Sequence, residues 1–298
     1  MKTMNLNEIA NEDLLLDLIS NDRVWEFIGV TDALDCLIKK SDASFDDVSS
    51  LIGYMDLTSL ESTDNEETIS KLIDKSEFEY KGVNYKVAGI CSFIDFLPYV
   101  NSHKKSVDMK SVVVCGGFPH AQMPLSIKKE EVKYALENGA DEIDICINRG
   151  LFLSGREKEV ANEISSIKSL ISAYRKPVLL KVILEVGELN SLPKIRKASL
   201  LALENGADFI KTSTGKINRG ADKYSVCVML LALREYYRKH GILKGLKAAG
   251  GIKSCEDALM YGNLFDYFIS KDLKTSNRFR IGCSRLLESV KTEMEKSK

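Results

Sequence analysis

The strongest constraint on this chain is a repeat: from residue 51 onward, short runs rich in Val and Ile alternate with longer stretches whose apolar residues fall at helical spacing. A parallel strand reaches the next through a crossover of a dozen or more residues, usually a helix, so the alternation is the pattern of repeated βα units. In order the runs are LIGYMD (51 to 56), VAGICSF (87 to 93), SVVVCGG (111 to 117), EIDICI (142 to 147), VLLKVILE (178 to 185), DFIKTST (208 to 214) and GLKAAGG (245 to 251). Closure needs an eighth, and periodicity allows both FDYFIS (265 to 270) and FRIGC (279 to 283). The near-repeat ALENGADEID and ALENGADFIK shows two units built alike, each helix ending on Asn-Gly, where Gly takes the left-handed conformation. A (β/α)8 barrel over residues 51 to 298 is the fold this predicts.

Residues 1 to 50 are different. Phe27, Val30, Leu34, Leu37 and Ile38 sit three or four apart, which predicts an amphipathic helical extension that caps the barrel bottom or meets another subunit. SDASFDDVSS (41 to 50) is read as a polar joint. The opening MKTMNLNEIANEDLLLDL lacks the basic start and unbroken apolar core of a signal peptide, and even VLLKVILEV carries Lys181 and Glu185. Seven cysteines without pairing spacing read as reduced thiols, and a cytoplasmic location is expected. A formal charge of -1 with Lys and Arg spread throughout offers no footprint for nucleic acid or a membrane surface. The partners expected are small molecules, with a homo-oligomer open.

Barrel active sites lie at the C-terminal ends of the strands. Asp56, Asp144, Lys181, Lys211 and Lys247 all interrupt apolar runs there, where a lone charge is costly unless paired or functional. Several lysines and acids without a metal set point to amine catalysis, in which a neutral lysine attacks a carbonyl and the resulting imine becomes an electron sink. A second ammonium nearby favours the neutral amine: at ~6 Å and an effective dielectric of ~20 the repulsion is on the order of 3 kcal/mol, or about two pKa units. Lys211 and Lys247 on neighbouring strands supply such a pair, and Asp144 a proton carrier or an anchor. His103, His120 and His240 have no ligand spacing, so neither a metal nor another cofactor is expected. Cys91 and Cys115 lie in apolar runs as buried thiols.

STGK (213 to 216), AAGGIKS (248 to 254) and RIGCS (280 to 284) bring glycines to the late strands, where backbone N–H groups can approach a phosphate. Lys216 and Lys253 add charge, and Ser284 stands at a helix start. Arg285 beside it either binds phosphate or turns outward to Glu288.

These residues resemble the deoxyribose-phosphate aldolase family. DFIKTSTGK (208 to 216) and LKAAGGIKSCEDAL (246 to 259) carry the resemblance most specifically, with MDLTSL, VAGICSF, GFPH, NGADEIDICIN, LLKVILEVGEL and RIGCS matching in order over about residues 50 to 290. The resemblance implies that FRIGC is the eighth strand. It also implies that Lys211 forms the Schiff base, Lys247 perturbs it, Asp144 relays protons, and Asp56 and Lys181 line the mouth. Gly215, Lys216, Gly250, Gly251 and Ser284 then hold phosphate, and the loops' own composition adds Lys253 and Gly282 to that set. The implied reaction is reversible, metal-free cleavage of 2-deoxy-D-ribose 5-phosphate to acetaldehyde and D-glyceraldehyde 3-phosphate. Ile94 and Asp95 replace the usual Pro and basic residue after Cys91, Arg285 replaces a small polar residue, and no terminal Tyr follows KTEMEKSK. Two alternatives stay open: a Schiff-base aldolase for another phosphorylated sugar, and a silent barrel that only binds.

Overall fold

The computed structural model describes residues 12–21, 23–38 and 43–296, apart from the side chains of residues 25 and 33–38. Its strands in chain order are β1 (Met55–Thr58), β2 (Glu77–Tyr80), β3 (Val83–Lys86), β4 (Gly89–Phe93), β5 (Lys110–Cys115), β6 (Glu142–Cys146), β7 (Leu179–Ile183), β8 (Phe209–Lys211), β9 (Gly245–Ala249) and β10 (Phe279–Cys283). Eight of them pair in parallel, from β1 through β4 to β10 and back to β1, so the sheet closes into the expected barrel. FRIGC closes it, while FDYF belongs to the helix Cys255–Phe268.

Strand alternation then sorts the side chains. Ile143, Ile145, Leu180, Val182, Ile210, Leu246, Ala248 and Ile281 point out into one apolar core shared with the surrounding helices. Their neighbours Glu142, Asp144, Lys181, Lys211, Lys247 and Arg280 are thereby turned into the barrel lumen, where barrels ordinarily stack branched apolar residues. The repeat units end as their sequence requires: the helices Leu125–Glu137 and Leu192–Glu204 stop at Asn138 and Asn205, followed by Gly139 at φ 87° and Gly206 at φ 104°.

Three local expectations are corrected. The first strand starts at Met55, because Leu51–Tyr54 form a 3-10 turn whose Leu51 and Ile52 are buried by packing. SDASFDDVSS is not merely a polar joint, since Phe45–Ser50 is a helix. Ser44 Oγ accepts from the Asp47 N–H at 3.1 Å and the Ser44 N–H donates to Asp47 Oδ2 at 3.2 Å, a reciprocal cap that outweighs the polar composition. A hairpin stands outside the barrel where none was expected: β2 and β3 pair antiparallel across Lys81 and Gly82, both at positive φ, as a two-residue turn of this hand requires.

The N-terminal extension contains the helices Glu12–Ser20 and Val24–Ile38. Phe27 is fully buried, whereas the side chains of Leu34, Leu37 and Ile38 lie outside the described residues. Its two described helices pack on the helices of the barrel's flank. Glu12 meets Arg234 and Arg238 at 3.0 and 2.7 Å near the bottom end of the helix Lys223–His240, and Asp32 meets Lys223 at 2.6 Å at its mouth end. Among the described residues no helix is long and apolar enough to cross a membrane.

Candidate active site

Six of the inward charges form a closed ring of alternating sign. Arg280 Nη1 pairs with Asp56 Oδ1, and Arg280 Nη2 with Glu142 Oε1 at 2.6 Å. Glu142 Oε2 meets Lys181 Nζ at 2.5 Å, and Lys181 donates to Asp144 Oδ1 at 2.9 Å. Asp144 Oδ2 accepts from Lys247 Nζ at 2.9 Å, and Lys247 lies 2.5 Å from Asp56 Oδ2, which completes the circuit. No member is more than 1% exposed. Lys211 is attached from outside the ring, donating to Asp144 Oδ2 at 2.8 Å.

The register explains the assembly. Asp144 is paired with Lys181 across β6 and β7, Lys211 with Lys247 across β8 and β9, and Lys247 with Arg280 across β9 and β10. Gly282 leaves space for it, since a Cβ there would stand 3.1 Å from Lys247 Cε and 2.9 Å from Ala249 Cβ. All five charged residues expected at the strand ends therefore come together. Glu142 and Arg280 were not anticipated. Their signal was the two-residue spacing from Asp144 and from Gly282, which places each pair on the same face of its strand.

Burial opposes every charge here, so each ion persists only through its partners. Burial pushes the Asp144 carboxyl up, but Lys181, Lys211 and Lys247 outweigh it and hold the group well below the usual carboxylate range. Asp56 is lowered against burial by Arg280, Lys247 and Lys181. Lys247 is raised well above an ordinary lysine against burial by Asp144 and Asp56, and Lys181 is raised against burial by Asp144, Glu142 and Asp56. These two amines are thus fixed as ammonium ions. Lys211 is the lysine held by a single carboxylate oxygen.

The glycine loops meet beyond Lys211. Gly215, Gly250 and Gly251 have φ of 80°, 88° and 82°, a backbone that side chains resist. The Ala221 N–H donates to the carbonyls of Ala249 and Gly250 at 3.1 Å each, tying the two loops together. Glu185, itself left-handed at φ 59° and buried, accepts from Thr214 Oγ1 at 2.5 Å, and Thr214 Oγ1 accepts from the Lys216 N–H at 3.0 Å. Lys216 Nζ reaches Glu61 at 3.1 Å. Lys253, Ser284 and Arg285 are exposed around these loops. Glu288 faces Lys75 at 3.7 Å, and Arg285 makes no ion pair among the described residues. The Ser213 hydroxyl, two residues beyond Lys211, is buried without a hydrogen-bond partner among the described residues.

Other candidates stay apart from this center. His240 lies at a helix end against Glu204 at 3.0 Å, and His120 is exposed in its loop. Among the described residues no group of three or more His, Cys, Asp or Glu side chains is spaced to hold a metal ion. Cys91 and Cys115 are buried, and burial raises both thiols.

Fold and site define a (β/α)8-barrel enzyme with a lysine-rich, carboxylate-braced interior. Residues 52–261 match the DeoC/LacD family aldolase pattern. The chain is 34% identical over 239 residues to the deoxyribose-phosphate aldolase of Agrobacterium fabrum (strain C58 / ATCC 33970), covering 80% of this chain and 88% of that one. It is 33% identical over 264 residues to the Bos taurus deoxyribose-phosphate aldolase, covering 80% and 78%. Its fold matches the tetrameric deoxyribose phosphate aldolase of Aeropyrum pernix with a TM-score of 0.64 at 26% identity, over 83% of this chain and 93% of that one. This chain belongs to the DeoC/LacD family of aldolases.

Proposed function

We propose that the chain is a deoxyribose-phosphate aldolase that cleaves 2-deoxy-D-ribose 5-phosphate through an imine on Lys211. The observation that carries the assignment of the nucleophile is that Lys211 alone among the cluster's lysines stands outside the closed ring, on one oxygen of Asp144. The neutral amine adds to the aldehyde carbon C1, and loss of water gives the iminium. A base removes the proton from the C3 hydroxyl, the C2–C3 bond breaks, and its electron pair passes to the iminium to give an enamine with release of D-glyceraldehyde 3-phosphate. Protonation at C2 and hydrolysis return acetaldehyde and free Lys211. Asp144, in contact with Lys211, is the group placed to carry protons between these steps, while Lys247 and Lys181 keep it ionised. Asp56 in turn holds Lys247.

We assign the substrate's 5-phosphate to Gly215, Lys216, Gly250, Gly251 and Lys253, with Gly282, Ser284 and Arg285 completing the mouth, since glycine backbone and basic side chains at these loops suit an anion. The relatives' activity supports a small phosphorylated sugar as substrate, the A. pernix assembly supports a homo-oligomer, and free buried cysteines suit the cytoplasm. The test is acetaldehyde release from 2-deoxy-D-ribose 5-phosphate, read by a coupled reductase. Faster turnover of a longer ketose phosphate, or none of either, overturns the reading.

A further inference from the structure

We infer that Arg280 and Glu142 are positioning residues of the reaction, setting the charge of the ring to which Lys211 is attached. The inference rests on Lys211 being the nucleophile. Arg280 bridges Asp56 and Glu142 with its two Nη groups, Lys181 spans the same pair more loosely at 3.7 and 2.5 Å, and the two carboxylates in turn hold Lys247 and Lys181 against the two oxygens of Asp144. Three basic and three acidic members cancel in formal charge, so a proton on Lys211 is the surplus charge of a cluster whose ring members are at most 1% exposed. Ring members on the far side from Lys211 therefore act on it without touching the reacting atoms. Ionisable side chains near the nucleophile include the thiols of Cys91 on β4 and Cys146 on β6, with Arg149 and Glu185 beyond Cys146. Both thiols are raised by burial, Cys146 to about 12, so they stay neutral in the working range.

Two substitutions at the far side have opposite signs. Glu142→Gln keeps the shape, removes a negative charge and leaves Lys181 on Asp144, so a proton on Lys211 becomes less favourable. Arg280→Met removes a positive charge and makes that proton more favourable. The midpoint pH of imine formation, followed by borohydride trapping of acetaldehyde on full-length protein, should fall in Glu142→Gln and rise in Arg280→Met, each on the order of one pH unit. The charge-balanced pair Arg280→Met with Glu142→Gln should return it toward the native value, and Arg280→Lys should keep it while lowering kcat. A structural role alone would lower the yield of folded protein and move neither midpoint. Shifts of the same sign, or none, overturn the inference. If Arg280→Met does not fold, the isosteric Glu142→Gln carries the test by its direction. Native protein that forms no imine on Lys211 refutes the proposed function, whereas native imine with unmoved midpoints refutes only the role of the ring.

Discussion

Lys211 and Lys247 donate to the same oxygen of one carboxylate, Asp144 Oδ2, at 2.8 and 2.9 Å. Lys247 is committed to the charged form, because Asp144 and Asp56 outweigh the burial that would neutralise it. Two amines sharing an oxygen lie within ~6 Å of each other, and at an effective dielectric of ~20 their repulsion is about 3 kcal/mol. Lys247→Leu should therefore move the midpoint of imine formation upward by about two pH units and slow it on the order of 100-fold at neutral pH. Stopped-flow trapping across pH measures this. Lost activity with an unmoved midpoint would make Lys247 a proton donor instead.

Asp144 accepts from three lysines, so Asp144→Asn should strike both chemistry and stability. Loss of the proton carrier should cost about 10²- to 10⁴-fold in kcat. Loss of the shared anion from a buried cluster should cost about 3 to 5 kcal/mol in unfolding free energy. Denaturant titration and steady-state kinetics on one preparation read both quantities. A variant with native stability would show that the ring does not depend on its central carboxylate.

The lowered Asp56 and Asp144 also set a pH dependence of stability. Their folded values lie below the unfolded aspartate value of about 3.9, so the contribution is complete above that value and is lost as pH falls through the folded values. The thermal midpoint should hold from neutral pH to about pH 5 and decline below it. Asp144→Asn should flatten part of that decline. Parallel curves for the two proteins would assign the acid sensitivity to other carboxyls.

Arg285 stands beside the glycine loops with no ion pair among the described residues, and Glu288 is turned to Lys75. Its guanidinium is free to take two phosphate oxygens. Arg285→Ser should raise KM for 2-deoxy-D-ribose 5-phosphate about tenfold or more, from a charged hydrogen bond worth ~1.5 to 3 kcal/mol. The unphosphorylated sugar should be almost unaffected. Equal effects on both substrates would place Arg285 on the helix surface.

The barrel was legible because its repeat is written in hydrophobic periodicity, down to the paired Asn-Gly helix ends. Lys181, Lys211, Lys247 and Asp144 stood out because each breaks an apolar strand. Glu142 and Arg280 did not, since each sits near the start of its strand, where a charge usually faces solvent; only closure of the sheet turns both inward to meet across the lumen. The helix Phe45–Ser50 was hidden by a polar composition that its reciprocal cap outweighs. The hairpin of β2 and β3 was hidden because its strands bury little and so lack a strong apolar alternation.

The most direct measurement is the site of the covalent adduct. Incubation with acetaldehyde and borohydride, followed by intact mass and peptide mapping, should show one reduced two-carbon adduct on the peptide containing Lys211. An adduct on Lys181 or Lys247, or none on any lysine of the cluster, would contradict the assignment of Lys211 as the nucleophile.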